Sequence, residues 1–501
     1  MNKIIDIKHN WKLVSVFSLI FVLAIWRFGA VVLFKLGLIC LPFLFLFVAI
    51  LKSNTIALWL IFTTAFTRVI FHLVGLPRAV PTLFTELCIL LLLTKALYVR
   101  LIIQQKPMRA IGFFPMLGIF VISVFSYLMN TPGVLPAIFF LRKTFIFYLF
   151  FIAVLNLDLS HATITKVNRY ILFLFFIQIP ASLVKLFLIG QEEGRGIGTV
   201  SWHAGALSTT LPLFAISFLL SFYFFKRNVK YIALIMGFIA FGLIGEKRAI
   251  LFLFPVVTMI VAYFYGKNVY SSGLFGKVLR FKYLFFVIVA SLIGLFAAFH
   301  MMTPDLTITF NPAERYKGSN KIKYVIDYIV SYNTRAYRND LDINDAQNTM
   351  GRARITMVVL RKLLESGTGR LLLGFGPGCM ISSPHLDAQD QPFRKFGIRG
   401  AMTGFIKFVL QTGVLGVVFL TYFLVKLLQN AYHKYRESHD YIYKMVALGF
   451  IGATFVFLLD FFVYSVSTLY LGVLTPVYFY VAAIILRKDL QNYQILKPSQ
   501  L

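Results

Sequence analysis

Residues 134–157 read VLPAIFFLRKTFIFYLFFIAVLNL, and this stretch decides the fold class. Apart from Arg142 and Lys143 it is dominated by apolar side chains. It exceeds the ~20 residues that a helix needs to cross a bilayer. A membrane-spanning β-strand would alternate apolar and polar residues instead. The stretch therefore predicts a transmembrane α-helix.

The rest of the chain repeats this pattern. Of its 501 residues, 59% are hydrophobic and only 14% are charged, which excludes a soluble globular protein. We therefore predict an all-α polytopic membrane protein with about 14 spans and at least 12. The predicted spans are residues 13–26, 29–51, 56–75, 82–103, 110–130, 134–157, 166–189, 204–225, 229–245, 249–266, 281–302, 404–428, 445–464 and 468–486.

The distribution of basic residues predicts the orientation. With the N-terminus in the cytoplasm, most loop Lys and Arg residues fall inside, as the positive-inside rule requires. The short outside loops then hold only Arg27, Arg78, Arg195, Lys247 and Arg248. Both termini are expected in the cytoplasm.

One polar segment is large enough to fold outside the bilayer. We predict three parts: an N-terminal bundle of about 11 spans over 1–302, a large external loop over 303–403, and a C-terminal part over 404–501. The loop carries 14 Lys and Arg against 9 Asp and Glu, so it is basic although it faces out. A helix is expected in it from the pattern TMVVLRKLLE, capped by Asn348 or Thr349 and ended by the glycines that follow.

The net charge of +30 needs an explanation. In a soluble protein it would suggest nucleic acid, but here much of the excess falls in short loops as topology signals and contacts to anionic lipid. Basic residues inside spans or in the external loop indicate an anionic substrate instead. The charges that we place inside spans are Lys35, Arg68, Glu86, Arg142, Lys143, Lys185 and Asp460, and structural pairing between them is the alternative interpretation.

Three external elements place an arginine beside small residues: GRGIGTVSWHAGA (194–206), GEKRAI (245–250) and GRAR (351–354). The planar arginine fork suits phosphate, and glycine lets the backbone approach a ligand. We expect Arg195, Arg248 and Arg352 to bind one diphosphate, with Arg142 as a further cation. We interpret Arg354, Arg361 and Lys362 differently, as a solvated helix face that meets lipid headgroups.

His203 is the candidate general base, because histidine titrates near neutral pH and the arginines lie on the same predicted side. An ordinary interfacial histidine is the alternative. There is no H-E-x-x-H, Walker or G-x-S-x-G motif, and Cys40, Cys88 and Cys379 have no metal-binding spacing. We therefore expect neither a metal nor a cofactor.

Four segments resemble the O-antigen ligase and O-antigen polymerase superfamily of bacterial envelope glycosyltransferases. They are GRGIGTVSWHAGALSTTLPLF, GLIGEKRAILFLF, GRARITMVVLRKLL with its following LLLGFGPG, and GFIKFVLQTGVLGVVFL. Their order, spacing and predicted sidedness are similar to those of the family, over about residues 190–420.

The resemblance implies a GT-C-type helical bundle in the bacterial inner membrane. It also implies polymerisation of glycan repeat units carried on undecaprenyl diphosphate, at the outer face, with a chain-length regulator as a further candidate partner. In that reaction Arg248, Arg352 and His203 would be catalytic, and Arg195, Arg248, Arg352 and Arg142 would bind the diphosphate.

Three alternatives remain open at this point. A ligase would transfer finished glycan to lipid A-core or protein. The position at which ligases carry a histidine falls near Met402 or Thr403 in this chain, and Gln411 stands in place of the motif glutamate. These departures favour the polymerase. A lipid-linked oligosaccharide flippase would not need the large external loop, and a structural scaffold would leave the charges inside the spans unexplained.

Overall fold

A computed structural model describes residues 54–75, 79–131, 133–157, 159–189, 198–200, 207–244, 249–269, 352–380, 402–438, 440–463 and 473–487. Within these ranges every regular element is a helix. The helices are α1 (Asn54–Phe66), α2 (Arg68–Leu73), α3 (Ala79–Leu97, extended by a π-helical turn Tyr98–Ile103), α4 (Phe113–Asn130), α5 (Val134–Asn156), α6 (His161–Phe176), α7 (Gln178–Ile189), α8 (Leu207–Lys226), α9 (Val229–Ile244), α10 (Ala249–Val269), α11 (Arg352–Glu365), α12 (Thr368–Leu373), α13 (Gly404–Glu437), α14 (Tyr441–Val463) and α15 (Leu474–Leu486).

Several helices are long and apolar enough to cross a membrane. Among the described residues there are six: Phe113–Asn130, Val134–Asn156, Ala162–Lys185, Leu207–Lys226, Gly404–Glu437 and Tyr441–Val463. The prediction of an α-helical membrane protein is confirmed at this level. The predicted spans 13–26, 29–51 and 281–302 lie outside the described residues, so the total of 14 stays a prediction.

Aromatic side chains from different helices form the centre of the bundle. The ring of Phe214 on α8 stacks on Phe175 of α6 at a centroid distance of 5.8 Å and lies 5.9 Å from Phe457 of α14. Phe457 in turn stacks on Tyr478 of α15 at 4.3 Å. All four side chains are buried. Because lipid tails are as apolar as these rings, close packing rather than water exclusion holds the helices together.

One end of the bundle collects the starts of four helices. Glu86 and Arg142 form an ion pair soon after the starts of α3 and α5, so these helices are parallel. Phe408, near the start of α13, lies 5.9 Å from Phe140 of α5. Thr210, near the start of α8, bonds Asp460 at the end of α14. We call this the upper end.

The opposite, lower end holds the other helix termini. Phe225 near the end of α8 lies 5.3 Å from Tyr265 near the end of α10. Val269, where α10 ends, is therefore at the lower end, whereas α11 and α12 belong to the upper end through the packing of α12 on α4 and α13. The predicted span 281–302 falls between these two points, outside the described residues.

Three helices differ from the predicted spans. The predicted spans 56–75 and 166–189 are each interrupted, at Thr67 and at Ile177. The span predicted to end at 428 continues to Glu437 and is broken at Gly413, where φ is +67° and ψ is −172°. The length of an apolar run predicts where a helix crosses the membrane. It does not predict a break that a distant segment stabilises.

The helix expected in the external loop is confirmed as α11 over Arg352–Glu365. Gly367, with φ of +98°, separates it from α12, which was not predicted because glycines at 367, 369 and 374 suggested irregular chain. The proposed caps Asn348 and Thr349 lie outside the described residues.

The contact between α14 and α8 leaves no room for a side chain at Gly449. A methyl group there would lie 2.9 Å from Phe218 Cα, which is backbone and cannot move aside. We expect Gly449→Ala to lower stability by about 1–3 kcal/mol through overpacking. The thermal midpoint of the detergent-purified protein measures this. Gly237→Ala on α9 is the control, because its nearest atom is Ile179 Cδ1 at 3.5 Å, and it should match or slightly exceed the wild type.

Candidate functional site

A buried glycine loop lies against the break in α13 at the upper end. The loop is the segment 374–380, GFGPGCM, which follows α12. Its Phe375 N–H donates to the Leu410 carbonyl at 2.7 Å, across a break that falls at Gly413. Leu410 is one of the residues whose carbonyl an uninterrupted helix would bond internally. The loop thus supplies a backbone donor at the point where α13 is irregular.

Glycine is required on both sides of this contact. A Cβ on Gly374 would lie 2.7 Å from Gly413 N and 2.8 Å from Leu410 O, and a Cβ on Gly413 would collide with the Leu372 carbonyl. Both residues also have positive φ, at +77° and +67°. The backbones of the glycine loop and of α13 therefore leave no room for a Cβ at Gly374 or Gly413.

Gln411 fixes the second half of the loop. Its Oε1 accepts the Gly378 N–H at 3.2 Å, and its Nε2 donates to the Lys407 carbonyl at 2.9 Å. The side chain is 3% exposed. Gln411 stands where the resemblance described above would place a glutamate, and here its neutral amide holds the loop.

Two further groups close the loop. Asn130, the last residue of α4, donates from Nδ2 to the Gly374 carbonyl at 3.2 Å. Burial raises the pKa of the Cys379 thiol far above its ordinary value, so the thiol stays protonated, with Sγ 3.5 Å from the Leu410 carbonyl oxygen to which it donates. The loop is held by α4 and α13 together.

The contact between the glycine loop and α13 is the first anchor at this end of the bundle. A second anchor at the same end uses Thr199. The Thr199 hydroxyl donates to the Phe66 carbonyl at 2.7 Å, and its carbonyl accepts the Val69 N–H at 3.1 Å. These partners flank Thr67, where the helix is interrupted. The Thr64–Thr85 hydrogen bond of 3.0 Å places this part of α1 beside the start of α3, at the upper end.

Gln178, the first residue of α7, holds the other side of this anchor. Its Oε1 accepts the Thr199 N–H at 2.9 Å, and its Nε2 donates to the Thr199 hydroxyl at 3.1 Å. Gly198 has φ of +54°, and a Cβ there would lie 2.5 Å from Gln178 Oε1. Thr199 therefore bonds backbone groups on both sides of the Thr67 interruption and the side chain of Gln178, which follows the interruption at Ile177.

An ion pair lies inside the bundle below the upper end. Arg142 Nε is 3.3 Å from Glu86 Oε1, and the guanidinium lies 4.8 Å from the centre of the Phe139 ring. Glu86 and Arg142 thus form the structural pairing that the sequence left open as the alternative interpretation. The role of Arg142 in diphosphate binding stays a prediction.

The remaining predicted site residues are only partly covered. Arg195, His203 and Arg248 lie outside the described residues, and Arg352 is the first residue of α11. Their convergence on one diphosphate stays a prediction. Arg361 on α11 pairs with Glu365 at 2.9 Å and is 81% exposed, as expected for a solvated helix face.

Several residues of the site were missed in the sequence. Gln178 and Asn130 carry the anchors, yet each looked like a single polar residue in an apolar span. A buried amide in such a span is a usable signal, since it must find hydrogen-bond partners. Thr403 caps α13 by accepting the Ile406 N–H at 3.3 Å, which explains a hydroxyl at the place of the ligase histidine.

In the described part of the chain, no three His, Cys, Asp or Glu side chains lie close enough together to hold a metal ion. The comparisons with known proteins give no assignment: no protein-family model matches the chain, and no curated protein matches its sequence.

Thr199→Val tests the second anchor. The substitution keeps the shape but removes the hydroxyl donor to the Phe66 carbonyl, so we expect a loss of about 1–3 kcal/mol for this buried group. Gln178 keeps the Leu174 carbonyl and the Thr199 N–H as partners. Thr199→Ser retains the hydroxyl and is the control. Thermal unfolding of the two purified variants should separate them, and equal midpoints would show that the hydroxyl contributes nothing.

Gly413→Ala tests the first anchor through Cys379. The added methyl group collides with the Leu372 carbonyl, so we expect the glycine loop to leave α13 and the Cys379 thiol to become reactive. Labelling with N-ethylmaleimide at pH 8, read by peptide mass spectrometry, should be at least tenfold faster than in the wild type. Gly369→Ala adds a methyl group on α12 with only Met129 Cε at 3.6 Å, and should leave Cys379 protected. Equal protection in both variants would contradict this account of the loop.

Proposed function

We propose that the protein is a glycosyltransferase that polymerises glycan repeat units carried on undecaprenyl diphosphate, at the outer face of a bacterial inner membrane. One observation carries the proposal. Two segments that share the family resemblance, LLLGFGPG and GFIKFVLQTGVLGVVFL, bond to each other through Phe375, Gly378, Leu410 and Gln411. These two segments, which the sequence alone singled out, thus lie in direct contact.

The three candidate arginines are close in the sequence to described parts of the upper end. Arg195 precedes the Thr199 anchor by four residues, and Arg248 directly precedes α10. Arg352 opens α11, whose neighbour α12 leads into the glycine loop. The free N–H groups of a helix start favour an anion. These anchors support one binding region for a diphosphate.

The basic residues support the orientation. The described lower end carries Lys226, Arg227, Lys230, Lys434, Arg436 and Lys444. By the positive-inside rule the lower end faces the cytoplasm, together with both termini, and the upper end faces out.

The proposed reaction joins two repeat units without a metal. A hydroxyl oxygen of the acceptor attacks the anomeric carbon of the donor sugar, a new glycosidic bond forms, and the bond to the diphosphate oxygen breaks. The electron pair leaves with undecaprenyl diphosphate, which Arg195, Arg248 and Arg352 stabilise. His203 accepts the hydroxyl proton. Arg142, lower in the bundle, is the fourth cation for the diphosphate.

The polymerase is preferred to the ligase for a structural reason. Thr403 is used as the cap of α13, and Gln411 as a clamp on the glycine loop, at the positions where a ligase carries its histidine and glutamate. Neither residue accepts a proton at neutral pH.

Arg352→Ala and Arg248→Ala test the proposal in cells. Each variant should lose long-chain glycan, by at least about a hundredfold, because a transition-state cation is removed. The measurement is the chain-length profile on a gel, beside immunoblots that show normal accumulation in the membrane. Arg361→Ala is the matched control, since this arginine is exposed on the same helix.

The species that accumulates decides between the alternatives. Single lipid-linked repeats indicate a polymerase, and long polymer on undecaprenyl diphosphate indicates a ligase. Repeats trapped on the cytoplasmic side would indicate a flippase instead. Wild-type profiles in both variants would exclude the proposed site.

A further inference from the structure

The charges inside the bundle between α3 and α5 are not balanced. Glu86 is the carboxylate of this group, Arg142 pairs with it, and Lys143 lies within electrostatic range of both. Lys143 makes no hydrogen bond and no ion pair with any residue that the structure describes. Among the described residues of this group, two cations against one carboxylate leave one net positive charge. Such a charge within membrane-spanning helices is costly unless an anion accompanies it.

Exposed apolar side chains of α3 and α5 lie beside these charges. Leu83 and Leu90 lie about one turn before and after Glu86 on α3, and are 38% and 46% exposed. Ile138, one turn before Arg142 on α5, is 52% exposed. Lys143 is itself exposed. We call these six residues the α3–α5 groove.

The position of the groove fits the outer layer of a membrane. Arg142 lies eight residues after Val134, about 12 Å along α5 from the upper end. That is within the ~15 Å of one hydrocarbon leaflet. The long stem of Lys143 lets its ammonium reach toward the headgroups of this leaflet.

We propose that the α3–α5 groove binds the phosphate of an anionic lipid that enters sideways from the membrane. The net positive charge holds the phosphate, and the exposed leucines and isoleucine contact the lipid chain. Glu86 orients Arg142 and limits the attraction, so that the lipid can leave again. If the proposed function holds, this groove is the entry for the lipid-diphosphate substrate. The groove itself does not depend on that reaction.

Lys143→Gln tests the site directly in the full-length protein. The protein is placed in phosphatidylcholine nanodiscs that contain either phosphatidylglycerol or undecaprenyl diphosphate, and bound lipid is counted by native mass spectrometry. We expect about tenfold weaker retention, since a charge-assisted contact is lost. Lys426→Gln removes an exposed lysine on α13 and should retain lipid as the wild type does. The lipid whose retention falls more identifies the source of the phosphate.

Glu86→Gln should act in the opposite direction and tighten retention, because it leaves both cations without a carboxylate. Equal retention of both lipids by the wild type, Lys143→Gln and Lys426→Gln would overturn the proposal. Binding of a second copy of the chain in place of lipid, seen as a dimer that Lys143→Gln dissolves, would also overturn it. These lipid measurements separate the groove from the glycan profile of Arg352→Ala, so either idea can fail alone.

Discussion

The Leu410 carbonyl is the group on which the upper end depends. Inside a membrane protein a backbone carbonyl must find a donor, since lipid offers none. Near the break of α13 at Gly413, the Phe375 N–H and the Cys379 thiol donate to the Leu410 carbonyl. Together with the Gln411 and Asn130 side chains, this carbonyl positions the glycine loop and the helix α12 that leads into it.

The same constraint explains the second anchor. The interruption at Thr67 affects the Phe66 carbonyl and the Val69 N–H, and Thr199 bonds both. In each case a segment between helices packs into the bundle and bonds backbone groups beside a helix break. The described residues of these two segments are thereby held against the bundle. A site that stabilises a transition state, as we propose for this end, needs such a fixed backbone.

Much of the helical framework is predictable from the sequence. The ends of α5 and α8 agree with the predicted spans within a few residues, because long apolar runs determine them. The helix α11 was also predictable from local pattern. The breaks at Thr67 and Gly413 were not, because their partners lie far away in the chain. Gln178 and Asn130 escaped notice for the same reason, since their importance lies in which backbone groups they reach.

The Thr199 anchor has a consequence for biogenesis. Phe66 and Thr199 are 133 residues apart in the chain. At roughly 5–20 residues per second, the ribosome needs on the order of ten seconds to synthesise the interval. During this time the Phe66 carbonyl and the Val69 N–H have no Thr199 to bond. The bonds at the Thr67 interruption are therefore completed only after the chain as far as Thr199 has been made.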